Sequence, residues 1–144
     1  MEATTRAKVV GPRDGKAGSL GTIGARFMLD GADAGERFSI VEHPMPPRAL
    51  GAPLHRHSRE DEYSYVIAGR VGALLGDEEA RLLEVISPAG FEGYFAELVD
   101  LGGALAAEPE TLAELCARYG LEMDPGSVPG LIERFELRPP GEPG

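Results

Sequence analysis

Pro53-Leu54-His55-Arg56-His57-Ser58-Arg59-Glu60-Asp61-Glu62-Tyr63-Ser64-Tyr65-Val66-Ile67-Ala68-Gly69-Arg70 is the stretch on which the reading of this chain turns. It holds two of the 3 histidines in the sequence. They stand one residue apart, and on an extended strand residues i and i+2 point to the same face, so both imidazoles can reach one ion. Between His57 and Glu62 the parity changes. The carboxylate can join the histidines only if the chain turns within the polar run Ser58-Arg59-Glu60-Asp61 and returns on another strand. Glu62, Ser64 and Val66 then face inward with the histidines, while Tyr63, Tyr65 and Ile67 face outward. Gly69 ends the strand.

The spacing His-x-His-x4-Glu-x6-Gly, carried by His55, His57, Glu62 and Gly69, resembles the first signature motif of the cupin superfamily, in particular its single-domain, quercetin dioxygenase-like members. The glycine that usually precedes the first histidine by six places is replaced by Ala49, with Gly51 nearby. The resemblance implies a jelly-roll β-barrel in which His55, His57 and Glu62 bind a divalent transition metal, Mn, Fe, Ni, Cu or Zn. It also implies a small metal-dependent oxygenase, with Glu62 doubling as the catalytic base. The second motif of that family, Gly-x5-Pro-x-Gly-x2-His-x3-Asn, supplies a third histidine and is not found.

Two accounts of that gap stay open. In one, the strand Arg81-Leu82-Leu83-Glu84-Val85-Ile86-Ser87-Pro88 follows the first motif too soon, so about two strands are missing between Asp77 and Ala80. In the other, Pro88-Ala89-Gly90 is a remnant of the motif, with Leu82, Gly93 and Glu97 where its glycine, histidine and asparagine would stand. With three ligands in hand, the alternative to an enzyme is a non-catalytic small-molecule-binding or degenerate cupin with an incomplete site. His43 is the one histidine left to complete it, and its position before Pro44 suits a rim or surface residue. Glu60 and Asp61 read as a solvated turn. Arg48 and Arg56 flank the motif and could hold a polar substrate.

Around this centre, the chain reads as a mainly β protein with helices at its end. Residues 1–22 form an arm with one short strand near Ala7-Lys8-Val9-Val10. Strands are expected over Gly24–Asp30 and Glu36–His43, joined by the glycine-bounded loop 31–35, and the Pro44–Pro47 run breaks the pattern. Another short strand is expected over Arg70–Leu75. Residues 1–88 are thus a cupin-like β domain, shortened by about two strands. From Phe91 the period changes: Tyr94, Phe95, Leu98 and Val99 repeat at helical spacing until Gly102. A second helix starts near Pro109 and stops at Gly120, Leu121–Pro125 is a linker, and Ser127–Phe135 forms a third helix. Residues 89–136 are therefore a helical extension packed on the β domain, and 137–144 a disordered tail.

Composition narrows the partners. The net charge of -10 argues against nucleic acid and anionic membrane surfaces. No apolar run reaches the length of a membrane span and no signal-peptide core is seen, so a cytoplasmic protein is expected. Cys116 is the only cysteine, which excludes an internal disulfide and a cysteine-based zinc site and leaves it a packing role. A β domain short of strands has edges that need cover, so a homodimer is expected. A small-molecule ligand is the remaining partner.

Overall fold

A computed structural model describes residues 7–71 and 78–142. Seven strands and three α-helices follow one another as β1 (Ala17–Ser19), β2 (Gly24–Leu29), β3 (Ser39–Met45), β4 (Leu54–His57), β5 (Asp61–Ala68), β6 (Ala80–Ser87), α1 (Glu92–Asp100), α2 (Pro109–Tyr119), β7 (Leu121–Asp124) and α3 (Val128–Phe135). Five strands form one antiparallel sheet in the order β1-β2-β3-β6-β5, and β4 pairs with β7 in a separate two-stranded sheet. Among the described residues these sheets do not close into a barrel. β1 and β5 remain edges, so the expected jelly-roll closure is not seen, whereas the mainly β character and the three C-terminal helices are.

Strand register sorts the main sheet into two faces. Val41 lies opposite Phe27 and Glu84, His43 opposite Leu82, and Ser39 opposite Ile86. On the far side of β6, Glu62 lies opposite Ile86 and Ser64 opposite Glu84. Since directly opposed residues share a face, Glu62, Ser64 and Val66 stand on the inner face with Val41 and His43, as the alternation in the sequence predicts. The outer face carries Tyr63, Tyr65, Leu83 and Val85, with Glu42 held between Arg26 and Arg81.

Over β2, β3 and β6 the inner face is covered by the C-terminal chain, whereas Ser64 and Val66 on β5 stay exposed. Phe91 at the entry to α1, with Tyr94 and Leu98 on the helix, joins one core with Leu20, Ala25, Val41, Ile86, Leu115 and Leu121. The 3.6-residue apolar period of α1 lets a single stripe of the helix meet the sheet. Proline opens α2, where a missing N–H costs nothing, and Gly120 closes it at φ 67°. Cys116, half-buried, packs against this core in the role expected of it, and burial pushes its pKa up.

Several boundaries move. Leu121–Asp124, expected as a linker, is β7; its Leu-Glu-Met-Asp alternation buries Leu121 toward the core. β3 continues through Pro44 and Met45, because Pro44 faces Gly24, where any Cβ would come within 2.7 Å of the proline ring. The short N-terminal strand lies at β1, not at residues 7–10, which form no strand. The strand expected over Arg70–Leu75 falls mostly on residues 72–77, outside the described residues. At the start of the tail expected to be disordered, Leu137 is buried and the N–H of Arg138 donates to the Arg48 carbonyl at 2.9 Å. No helix among the described residues is long and apolar enough to cross a membrane.

One core shared by the sheet and the helices should melt as one unit. Leu115→Ala, which empties a site 2% exposed, is expected to cost about 2–5 kcal/mol. It should lower the midpoint of a single transition that is coincident by far-UV and aromatic circular dichroism; an independent helical transition would show that the C-terminal part is an appendage.

Candidate metal centre

His55 and His57 lie on β4, and Glu62 on β5 follows after a turn of three residues. The turn within Ser58–Asp61 is therefore present, although the two strands belong to different sheets and do not pair with each other. One ligand atom from each of His55, His57 and Glu62 lies within 4.8 Å of the other two. The two imidazoles stand edge to face with centroids 5.1 Å apart.

The nitrogens available to an ion follow from what the other ring nitrogens do. His55 Nδ1 is 2.8 Å from the Pro53 carbonyl oxygen, which only accepts, so Nδ1 carries the proton and Nε2 is free to ligate. His57 Nδ1 is 2.7 Å from Glu60 Oε1. Its Nε2 is buried without a hydrogen-bond partner and lies 3.3 Å from Glu62 Oε1. A buried imidazole nitrogen left unpaired costs free energy unless something occupies it. Phe91, at the entry to α1, packs edge-on to His57 with centroids 4.3 Å apart. His55 is exposed, so the cluster opens to solvent on that side.

Glu62 has a side chain 18% exposed. Burial raises its pKa to about 7; the negative charge of Glu84 adds to the effect, while His57 and His43 oppose it. At neutral pH this carboxyl is therefore divided between its protonated and ionised forms, unlike an ordinary glutamate.

The remaining residues singled out by the sequence fall differently from expectation. His43 is not a rim histidine: it is 2% exposed, with Nδ1 2.9 Å from the Gly24 carbonyl and Nε2 3.0 Å from Glu84 Oε2. Burial works against its charged form, but the hydrogen bond and charge of Glu84 and the Gly24 carbonyl outweigh it, leaving the pKa raised. With both nitrogens engaged, His43 is no substitute for a third histidine ligand. Glu60 is not a solvated turn residue, since its side chain is 6% exposed against His57. Arg56 makes a bidentate pair with Glu122 across β4 and β7 and points away from the cluster's ligands. Pro88-Ala89-Gly90 leads into α1, so Gly93 and Glu97 stand on a helix, and Glu97 instead meets Tyr119 and Arg118. Glu84, which sequence reasoning passed over, sits on the inner face because its register opposes Val41; the alternation of Leu82, Glu84 and Ile86 carried that signal.

No protein-family model and no curated protein matches the chain.

The Glu62 carboxyl gives a stability test with a defined sign. Its folded pKa lies above the ordinary value of 4.5, so its contribution to stability is greatest below pH 4.5 and falls as pH rises toward 7. In chelator-treated protein, Glu62→Gln is expected to raise stability at pH 8 by roughly 1–2 kcal/mol, after discounting for solvent screening of a partly exposed group. That is a Tm increase of about 3–8 °C. At pH 4.5 the gain should nearly vanish. Thermal melts at the two pH values check it; an equal shift at both would show that Glu62 carries no ionisation penalty.

Proposed function

We propose that this protein binds one divalent transition metal through His55 Nε2, His57 Nε2 and a Glu62 carboxylate oxygen. The observation that carries this reading is the buried, unpartnered Nε2 of His57, 3.3 Å from Glu62 Oε1, in a group where one ligand atom from each of His55, His57 and Glu62 lies within 4.8 Å of the others. Two neutral imidazoles and one carboxylate suit Mn, Fe, Ni, Cu or Zn, and three protein ligands leave coordination positions for an exogenous molecule. Exposure of His55 puts those positions on the solvent side.

The finer reading, also proposed, is a shortened cupin-like protein acting as a small metal-dependent oxygenase of the quercetin dioxygenase type. Its support is the motif spacing together with the convergence of the three motif residues. When bound, the ion would supply Lewis-acid polarisation and a site for substrate oxygen groups. The chain's own contributions are separate. His55 and His57 hold their ring protons at Nδ1 and offer lone pairs at Nε2, Glu62 supplies negative charge and a group able to exchange a proton near neutrality, and Phe91 keeps water from the far side of His57. A non-catalytic binding role is the alternative, supported by one specific observation: His43, the remaining histidine, has both ring nitrogens engaged by the Gly24 carbonyl and Glu84, which leaves the cluster without the third histidine of the cupin pattern. A second copy of the chain along the exposed edge of β5, where Tyr63 and Tyr65 are 60% and 70% exposed, and a cytoplasmic location complete the proposal.

Elemental analysis after reconstitution should find close to one ion per chain. Ion at about 100 times its Kd should stabilise the fold by about 2.7 kcal/mol. The double variant His55→Ala, His57→Ala should stay folded and lose both. Wild-type protein that retains no ion and whose Tm ignores both added metal and chelator would remove this reading. Oxygen uptake with a flavonol, present in the metal-loaded wild type and absent in the double variant, separates the oxygenase from the binding module.

A further inference from the structure

Glu60 precedes Glu62 by two residues, yet it meets the opposite edge of the same imidazole. Its Oε1 lies 2.7 Å from His57 Nδ1, whereas Glu62 Oε1 lies 3.3 Å from His57 Nε2. The ring is thus bracketed by two carboxylates, and only the Glu60 contact has hydrogen-bond geometry. An ionised carboxylate accepts and cannot donate, so the proton between Glu60 and His57 belongs to Nδ1. That leaves the lone pair on Nε2, the atom that lies 3.3 Å from Glu62 Oε1. Both side chains of the Glu60–His57 pair are almost wholly shielded from solvent, at 6% and 11% exposed, so water does not compete for the proton. His55 fixes its own tautomer by another route, through the Pro53 backbone carbonyl.

We infer that Glu60 is a positioning residue for the metal centre: it locks His57 in the tautomer and orientation whose Nε2 lone pair points into the gap shared with His55 and Glu62, and so sets the affinity of that gap for a divalent transition ion. This role rests on the metal reading above. Glu60 itself is not a ligand, since its near oxygen is spent on the far edge of the ring. A carboxylate on the second nitrogen of a ligating histidine fixes ring orientation and raises the basicity of the ligating atom, and losing such a partner costs about 10–100-fold in metal affinity.

The variant that isolates this role is Glu60→Gln. Glutamine keeps the side chain's size and can still touch Nδ1, but its amide can either accept from a protonated Nδ1 or donate to a bare one. The tautomer is no longer dictated. Nitrogen-15 imidazole spectra of the metal-free protein should show His57 protonated at Nδ1 in the wild type and shared between the two nitrogens in E60Q. Competition against a chromophoric chelator should show the Kd for Zn²⁺ rising about 10–100-fold. Metal-free Tm values, measured alongside, guard against misfolding. A merely structural Glu60 would lower the Tm of E60Q and leave both the tautomer and the Zn²⁺ affinity of the folded protein unchanged, and that result overturns the inference. Wild-type protein that binds Zn²⁺ while E60Q binds it equally well removes the role of Glu60 and leaves the metal centre standing. Wild-type protein that takes up no Zn²⁺, Mn²⁺ or Fe²⁺ removes both.

Discussion

The pairing of β4 with β7 is the interaction on which the rest of the site depends. A four-residue strand cannot hold two imidazoles in register alone, and a two-stranded ribbon in water is marginal at best. Here every residue of β4 is opposed by one from Leu121–Asp124, and the ends are fastened as well. The Leu54 N–H donates to Ser127 Oγ, Ser58 donates to the Gly120 carbonyl from both its N–H and its hydroxyl, and Arg59 donates to the Arg118 carbonyl. Gly120 can close α2 and still receive Ser58 because it has no side chain: a Cβ there would lie 2.4 Å from Ser58 Oγ. The ligand-bearing strand is therefore positioned by chain more than sixty residues downstream. The C-terminal third is part of the site's frame rather than a cover for exposed strands.

That dependence explains what the sequence disclosed and what it did not. The inward set of β5 was legible because strand parity is a local rule, and the register of Glu62 against Ile86 and of Ser64 against Glu84 follows it. The helices were legible from apolar spacing and from Pro109, Gly102 and Gly120. The partner of β4 was not, because strand pairing across sixty residues leaves no local mark beyond a four-residue alternation placed between a helix cap and a proline. The position of His43 was hidden for a related reason. Pro44 suggested a strand end, but the strand runs on because Gly24 gives the proline ring room. Glu60 looked like a turn residue by composition; composition does not show that the turn folds its carboxylate back onto Nδ1 of the shielded His57.

Among the described residues the sheets do not close into a barrel, and that changes what faces the histidines. In a closed barrel the inner face of the sheet would look onto other strands; here it looks onto α1. Phe95 packs edge-on to His43 at 5.0 Å between centroids, and Phe91 does the same to His57. Aromatic edges against imidazoles fill space without supplying hydrogen bonds, so they lower the local polarity around the nearby carboxyls. Burial is the leading cause of the raised pKa of Glu62. The packing that gives the protein a core where a barrel would have strands thus also makes an ionised Glu62 costly until a cation is near. A buried charge without a partner imposes such a cost on any fold.

The count of ligands follows from the same accounting. His43 lies on the inner face in the row that leads toward the cluster, and a third imidazole there would complete a familiar set. Its Nδ1, however, answers the Gly24 carbonyl, and its Nε2 answers Glu84. Turning it toward His55, His57 and Glu62 would strand a buried carbonyl and a largely buried carboxylate, each at the cost of an unmade hydrogen bond. Glu84 in turn needs His43, because without it a second carboxylate would stand unpaired beside Glu62. The pair neutralises itself and is spent. What remains is His55, His57 and Glu62, with one ligand atom of each within 4.8 Å of the others, a group that could hold an ion and that opens to solvent only beside the exposed His55.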